Sequence, residues 1–371
     1  MEIKMEFHYD DGCGNSICCT YWSEHLDSET IDKKYSKYDF LQVCYPKYVN
    51  IDIYNKYKEV LAYCEYDGRW GREAKSIDIS LKQTEDEILE HMSKNTRYKV
   101  KRALERDGLY TELTVEIGRE DMEEYIAFYN DFADLKDMRH IDENRVRALV
   151  EQGKYSISRC CDKTGKTLVE HAYYVDKEGG RVMLATSSSL FREAENSEYR
   201  NMIGRANRML HFMDMVGFKK LGFITYDMGG AGDYNEELKA IADFKLGFGG
   251  EVIKYDAGFT IPLKYVRQAD KLLENAEQYA GKKIVIYGYG QIGRYIAEGL
   301  KKREIADFII LDNYLNSIEG VTLCKDADLE RMDSNTTVLF MTLGKSSFSK
   351  AVGKLEQMGY EGNRNMHTVL F

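Results

Sequence analysis

The alternation of apolar and polar positions is clearest in the middle of the chain, over residues 116–264. Apolar residues first recur at helical spacing, and three runs with a two-residue period then follow, separated by glycine-containing turns. The predicted elements are helices at Glu120–Leu135 and Asp142–Gln152, strands at Tyr155–Cys161, Thr167–Val175 and Arg181–Ser187, a helix at Tyr199–Val216, a strand at Lys220–Asp227, a helix at Asn235–Leu246 and a strand at Glu251–Thr260. This order predicts a mixed, largely antiparallel sheet covered by helices.

The pattern differs on either side of this region. Residues 1–115 predict strands at Tyr48–Asn55 and Ser76–Ser80, then one long helix over Thr84–Leu104, in which Thr84 and Glu87 have the spacing of a capping box. Residues 282–371 alternate short apolar strands with helices, which is typical of a parallel sheet. The elements predicted there are strands at Lys283–Tyr287, Phe308–Leu311 and Thr337–Leu343 and helices at Gln291–Lys302 and Ser347–Met358.

Four parts follow from these patterns: residues 1–115, residues 116–264, a polar helical connector at 265–281, and residues 282–371. The expected fold class is therefore α/β, with an α+β region that contains a mixed sheet, followed by a parallel sheet.

Composition and charge narrow the class of partner. Hydrophobic residues make up 43 % and charged residues 31 % of the chain, as in globular proteins, and the net charge of −10 disfavours a globally basic nucleic-acid binder. The eight cysteines are scattered without a C-x-x-C pair. The chain begins without a secretion-type apolar segment and contains no apolar run of about 18 residues. We therefore expect a cytoplasmic protein with reduced thiols, no metal centre and no membrane span.

Short segments in the middle of the chain carry a family resemblance. They are Asn95–Ala103, a basic helix; Ala206–His211, inside a helix; Tyr226–Gly230, at a strand end; Asn235–Phe248, a helix that closes on a Gly-Phe pair; and Phe244–Gly250. In this order, residues 75–262 resemble the GNAT acyltransferase fold, in the branch that includes the Fem peptidoglycan aminoacyltransferases. Residues 1–115 then correspond to a partial GNAT-like subdomain, because a full Fem protein has two GNAT-like halves.

The resemblance implies transfer of an acyl or aminoacyl group to an amine. The implied donor is acyl-CoA or aminoacyl-tRNA, and the implied acceptor is the amine of an amino sugar or of a peptidoglycan or surface-polysaccharide precursor. Such a reaction needs a group that accepts the proton of the amine and donors that stabilise the oxyanion.

Three residues are the candidates for this chemistry. Asp227 follows a strand and precedes two glycines, so that its carboxylate could orient or deprotonate the acceptor; the alternative is an aspartate that caps a turn. Lys245, in the helix that resembles the last GNAT helix, would stabilise a phosphate or an oxyanion, unless it is a solvated helix lysine. His171, at an alternating position of a strand, is a candidate base or a hydrogen-bonded residue of the sheet.

The substrate-binding candidates come from the same segments. Arg97 and Lys101 lie four residues apart on one helix face and could bind a nucleotide-sugar diphosphate or the tRNA backbone; a solvated face is the alternative. Ser188 ends the third strand, where GNAT proteins separate two strands around the donor, and Arg200 opens the next helix. The remaining candidates are Asn207, His211, Tyr226, Gly229 and Gly230.

Two departures from the GNAT pattern put acyl-CoA in doubt as the donor. Asn201 and Ala206 replace a Gln or Arg and a Gly of the pyrophosphate-binding loop, and the tyrosine acid of the last helix is absent from Asp243–Lys245. The departure in the loop favours an aminoacyl donor of the Fem type.

The last 90 residues contain a separate motif. Gly288, Gly290 and Gly293 follow a strand and open a helix, and Asp312 ends the next strand. This context indicates a Rossmann-like turn that could bind a nucleotide such as NAD or a nucleotide sugar, or serve a structural role. The region is too short for a dinucleotide site together with a substrate domain, so hydride transfer is not expected. The alternative function for the whole chain is nucleotide or nucleotide-sugar binding beside a non-catalytic GNAT fold.

Overall fold

The computed structural model describes residues 5–61, 74–256, 258–305, 307–362 and 364–369. The chain divides into two compact units. The first comprises Met1–Leu26, Val43–Val49 and Gly71–Gly258, and the second comprises Asp27–Gln42, Asn50–Trp70 and Phe259–Phe371. The four-part division of the sequence at residues 115, 264 and 281 stays a prediction.

The strands are β1 (Met5–Asp10), β2 (Ser16–Tyr21), β3 (Phe40–Cys44), β4 (Ala74–Ser80), β5 (Tyr110–Thr114), β6 (Tyr155–Cys161), β7 (Thr167–Asp176), β8 (Arg181–Ser189), β9 (Thr225–Gly230), β10 (Glu251–Tyr255), β11 (Phe259–Ile261), β12 (Lys283–Tyr287), β13 (Phe308–Leu311), β14 (Leu323–Cys324), β15 (Thr337–Met341) and β16 (Met366–Thr368). The helices are α1 (Ser28–Thr30), α2 (Ile51–Tyr57), α3 (Glu85–His91), α4 (Lys94–Arg106), α5 (Arg119–Asp134), α6 (Glu143–Glu151), α7 (Ser197–Lys220), α8 (Glu236–Leu246), α9 (Leu263–Glu274), α10 (Gln291–Lys302), α11 (Asp326–Leu329) and α12 (Lys345–Gln357). A π-helical turn covers Ile31–Tyr35, and 3₁₀ turns cover Leu190–Arg192 and Ala276–Tyr279.

The first unit is built on a seven-stranded mixed sheet in the order β10-β4-β9-β8-β7-β6-β5. Strands β6, β7 and β8 pair antiparallel, as the sequence predicts. Strands β8 and β9 instead run parallel, and their ladder joins Arg181–Met183 to Thr225–Asp227. The ladder ends there. In the described chain, the last residues of β8 and β9 therefore lie at the same end of the sheet but are not paired to each other. The mixed α/β class and the order of elements from 116 to 255 are confirmed.

The helix predicted over Thr84–Leu104 is two helices, α3 and α4. Thr84 and Glu87 form the predicted capping box. The break follows from Ser93, whose side chain accepts a hydrogen bond from the Thr96 amide at 3.3 Å and caps α4. A second cap inside the apolar repeat therefore divides the helix.

Three other predictions are corrected by the structure. Tyr48–Asn55 is not a strand, because Asn50 caps α2 and the buried side chains of Ile53 and Tyr57 lie four residues apart, at helical spacing. Strand β9 begins at Thr225 rather than Lys220, where α7 still continues. The strand predicted over Glu251–Thr260 is divided into β10 and β11.

The second unit contains a five-stranded parallel sheet in the order β14-β13-β12-β15-β16. Its central strands β12, β13 and β15 are buried along almost their whole length, which explains their continuous apolar sequences. The parallel sheet predicted for this part of the chain is confirmed.

Gly249 is held in a conformation that other residues rarely adopt. Its φ is +84°, and a Cβ placed on it would lie 2.4 Å from the carbonyl oxygen of His91. Gly108 has a φ of +64° with open space around the same position. We expect Gly249→Ala to lower the free energy of unfolding by about 2–5 kcal/mol, because backbone strain and a clash combine. Gly108→Ala should cost only about 1–2 kcal/mol.

Denaturant unfolding of both variants measures this difference. Equal losses would show that the His91 carbonyl does not restrict Gly249.

Candidate active site

A chain of hydrogen bonds runs through the core of the first unit between β7, β9 and α7. Tyr173 donates to the Asp214 carboxylate at 2.5 Å, the hydroxyls of Tyr173 and Tyr226 lie 2.8 Å apart, and the Tyr226 hydroxyl lies 2.7 Å from His211 Nδ1. His171 Nδ1 lies 3.0 Å from the same carboxylate. All five side chains are buried. Their mutual hydrogen bonds therefore replace those that water would otherwise make with them.

The chemistry of the donors fixes the direction of this chain. Because the Asp214 carboxylate only accepts, the single proton of the Tyr173 hydroxyl is used on it. The Tyr173 oxygen must then accept from Tyr226, and the Tyr226 oxygen must accept from the Nδ1–H of His211. His211 therefore carries a proton on Nδ1, and in its neutral form the lone pair is on Nε2. Burial raises the pKa of both tyrosines well above their ordinary value and keeps them protonated.

The surroundings of His211 favour the same neutral form. Burial holds the pKa of this imidazole well below its usual value, and the positive charges of Lys245 and Arg208 act in the same direction. Its ring lies 4.1 Å from that of His171 and 5.1 Å from that of Phe248, measured between centroids. Among the described residues, no partner hydrogen-bonds to Nε2 of His211. The structure therefore presents a basic nitrogen at the end of a fixed donor chain.

Lys245 brings a charge to the end of β9. Its Nζ donates to the carbonyl oxygen of Gly230 at 2.8 Å, beside Gly229, whose φ is +72°. A Cβ on Gly229 would lie 2.8 Å from the Leu184 carbonyl oxygen, so glycine lets β9 approach β8 at this point. Burial lowers the pKa of Lys245 to about 8, whereas Asp227 acts in the opposite direction.

Asp227 lies on the other face of the sheet. Adjacent residues of a strand point to opposite faces, so Tyr226 and Asp227 are separated by the sheet itself. The Asp227 carboxylate is fully buried and accepts hydrogen bonds from Ser76, from the Gly229 amide at 2.8 Å and from Arg181 at 2.6 Å. Lys245 is thus close enough to His211 for its charge to act on that imidazole, and His171 stacks on the same ring, whereas Asp227 lies across the sheet. The contacts of Asp227 favour a role in holding the end of β9, and its catalytic role stays a prediction.

Arg181 explains how two acidic residues are accommodated there. It bridges Asp227 and Asp78, with distances of 2.5 and 2.8 Å to the two oxygens of Asp78. Burial, and then Asp227, raise the pKa of Asp78 to about 6. Removal of one partner would leave a buried charge without compensation.

The substrate-binding candidates are placed in different surroundings. Arg97 donates to the Glu90 carbonyl oxygen at 3.1 Å, and Lys101 is exposed on α4. Ser188 is buried and donates to the Glu170 carbonyl oxygen at 3.3 Å, whereas Arg200 donates to the Ala194 carbonyl oxygen at 2.9 Å. Their substrate contacts stay predictions.

Asn207 joins the buried network, because its side-chain oxygen lies 2.9 Å from His171 Nε2. Asp214 and Tyr173 belong to the same network and were missed in the sequence. The spacing of Asn207, His211 and Asp214, which places three polar residues on one face of α7, was the signal that could have found Asp214.

In the second unit, the glycine turn adopts the strand–turn–helix form that the sequence predicts. Gly288 has a φ of +98°, and a Cβ on Gly293 would lie 2.1 Å from the Gly288 carbonyl oxygen, so both positions require glycine. Gly290 is the residue before α10. Asp312 accepts from the backbone amides of Tyr289, at 3.0 Å, and of residues 314 and 315. The carboxylate thus braces the turn, and nucleotide binding at these four residues stays a prediction.

Two features of the described residues bear on membranes and metals as partners. No helix among them combines the length and the apolar character needed to cross a membrane. No three His, Cys, Asp or Glu side chains in the same part of the chain form a group that could hold a metal ion. The described cysteines are free; Cys64 lies outside the described residues.

Comparison with known proteins gives structural similarity at low identity. No protein-family model matches the chain, and no curated protein matches it. A crystal structure of FemX is 14 % identical, with 68 % of this chain and 83 % of FemX covered and a TM-score of 0.48. The C-terminal domain of a putative lysylphosphatidylglycerol synthetase from Agrobacterium fabrum is 10 % identical, with 73 % and 89 % covered and a TM-score of 0.39.

The L-PGS structure from Bacillus licheniformis is 10 % identical, with 69 % and 83 % covered and a TM-score of 0.39.

The protonation of His211 can be tested directly. We expect nitrogen NMR to show a neutral ring with its proton on Nδ1 at the pH at which an ordinary histidine is half protonated, because burial and neighbouring cations lower the pKa. Tyr226→Phe, which removes the acceptor of that proton, should change the Nδ1 signal. Titration of His211 near its ordinary pKa, or a proton on Nε2, would contradict the arrangement.

Proposed function

We propose that the first unit is an acyltransferase that moves an acyl or aminoacyl group from an activated donor to an amine. The observation that carries this proposal is that a half-buried ammonium, Lys245, bonded at the end of β9, acts electrostatically on an imidazole, His211, whose Nε2 has no hydrogen-bond partner among the described residues. Acyl transfer to an amine is assisted by a donor that stabilises the oxyanion and by a base that takes the proton, and Lys245 and His211 have these roles in the proposal.

In the proposed reaction, the acceptor nitrogen attacks the donor carbonyl carbon and forms the new C–N bond. The carbonyl oxygen becomes an oxyanion, which the Lys245 ammonium stabilises as a charged hydrogen-bond donor. The nitrogen loses its proton to His211 Nε2, directly or through one water molecule. The bond to the donor then breaks, and the same proton passes to the leaving group, a thiol or a ribose hydroxyl.

Asp214 and the two tyrosines would support this transfer without touching the substrate. Their chain holds His211 in the Nδ1–H form, and its negative end offsets the positive charge that the ring gains when Nε2 accepts a proton. His171, stacked on His211 and bonded to Asp214 and Asn207, fixes the ring from its other side. These are positioning residues.

The unpaired ends of β8 and β9 are the proposed place for the donor, since exposed backbone groups there can bind an acyl carbonyl or an amide. Acyl-CoA and aminoacyl-tRNA both remain candidate donors. The proposed acceptor is the amine of an amino sugar or of a peptidoglycan or surface-polysaccharide precursor, on the strength of the sequence resemblance.

Lys245→Met should reduce turnover by about 100-fold or more, because it removes the cation that stabilises the oxyanion. Lys245→Arg, which keeps a charge but changes the geometry, should retain part of the activity. Lys239→Met changes an exposed lysine of the same helix and is the matched control. The measurement is mass spectrometry of candidate amines incubated with acyl-CoA or with aminoacyl-tRNA. Equal activity of K245M and K239M, or no product with either donor, would contradict the proposal.

The pH dependence separates two roles of Lys245. Its pKa of about 8 means that the ammonium is present below that pH and is lost as the pH rises through it. Arginine stays charged over the same range. The turnover of the wild type relative to that of K245R should therefore fall above about pH 8. A ratio that rises through pH 8 would instead indicate that neutral Lys245 acts as the base.

A further inference from the structure

Arg208, on α7, is a half-buried cation whose hydrogen bonds are incomplete. One terminal nitrogen, Nη1, donates to the Gly204 carbonyl oxygen at 2.8 Å, and the guanidinium carbon lies 4.7 Å from the centre of the Phe244 ring. Its Nε is buried and has no hydrogen-bond partner among the residues that the structure describes. The stacking on Phe244 holds the plane of the guanidinium, while most of its five N–H groups are left for another partner.

Three other arginines of the first unit with low exposure are neutralised by acids. Arg159 lies 2.6 Å from Glu170, Arg181 lies 2.6 Å from Asp227, and Arg205, on the same helix as Arg208, lies 2.6 Å from Asp107. Arg208 forms no ion pair with any residue in the described ranges. A charge taken out of water without a partner destabilises the fold, so the Arg208 guanidinium, with its buried Nε, calls for a ligand.

Lys99 supplies a second cation beside Arg208. It lies half-buried on α4, which packs along α7, and it has no hydrogen-bond or ion-pair partner within the part of the chain that the structure describes. Burial, and then the charges of Arg208 and Arg205, lower the pKa of Lys99. Burial also lowers the pKa of Arg208. Arg208 and Lys99, from different helices, are thus neighbouring cations that are partly shielded from water. Among the described residues, no carboxylate forms an ion pair with either of them.

We propose that Arg208 and Lys99 form a phosphate-binding subsite between α4 and α7. A planar guanidinium binds two phosphate oxygens at once, and an ammonium adds a point charge, so the pair suits a phosphate ester or a diphosphate better than a single carboxylate. Arg208 precedes His211 by three residues on the same face of α7, which puts the bound phosphate next to the candidate reaction centre. Both candidate donors carry phosphates; the assignment of this phosphate to the donor rests on the proposed function.

Binding to the full chain tests the subsite without any turnover. The probes are inorganic pyrophosphate, coenzyme A and a short RNA hairpin that ends in CCA, measured by calorimetry. At least one probe should bind, and Arg208→Gln and Lys99→Gln should each weaken that binding by about tenfold or more. Arg102→Gln, at an exposed position of α4, should leave it unchanged. Binding of coenzyme A alone assigns the phosphate to an acyl-CoA, and binding of the hairpin alone assigns it to an RNA-linked donor.

The ligand-free melting temperature provides a second readout. R208Q should melt at the same temperature as the wild type or higher, because it removes an unpaired charge, whereas R205Q should melt lower, because it leaves Asp107 unpaired. The bound probe should raise the melting temperature of the wild type more than that of R208Q.

The subsite is overturned if no probe binds or if R208Q binds as tightly as the wild type. Phosphate binding that depends on Arg208, without transfer from any donor, would leave the subsite standing and would contradict only the proposed function.

Discussion

The buried carboxylate of Asp214 is the constraint on which the candidate site depends. A carboxylate in the core must be satisfied by donors, and here Tyr173 and His171 supply them. Once the Tyr173 proton is used in this way, each later hydrogen bond in the chain has only one possible direction, and the lone pair of His211 ends on Nε2. The direction of these hydrogen bonds is thus set by Asp214, which follows His211 by three residues on α7. Asp214 does not itself need to contact a substrate.

The sheet separates this chain from a second buried acid. Asp227 and Arg181 form an ion pair on the opposite face, where Asp78 shares the same guanidinium. The hydrogen bond from the Gly229 amide to Asp227 connects that face to the end of β9. There, the carbonyl oxygen of Gly230 accepts a hydrogen bond from Lys245. One face therefore carries His211, the proposed base, while the other holds in place the strand end to which Lys245 is bonded.

The sequence predicts most of the fold, because long repeats and turn residues specify α7, the hairpins β6–β8 and the parallel strands of the second unit. Its errors are local: Ser93 interrupts an apolar repeat and starts a new helix, and Asn50 starts a helix where β-branched residues favour a strand. The candidate site was predicted less well. Tyr173 is indistinguishable from a core aromatic in the sequence, and the opposite orientations of Asp227 and the histidines depend on strand register, which one-residue shifts reverse.

The central claim is that Lys245 and His211 flank the reacting carbonyl. A crystal structure of the protein with a stable conjugate of donor and acceptor, in which an amine is joined to coenzyme A or to a CCA-ended RNA through a tetrahedral mimic, tests it most directly. The account predicts that the oxyanion mimic lies within hydrogen-bond distance of Lys245 Nζ, with the conjugate nitrogen facing His211 Nε2 directly or through one water molecule. A conjugate bound on the Asp227 face, with both groups out of reach, would contradict it.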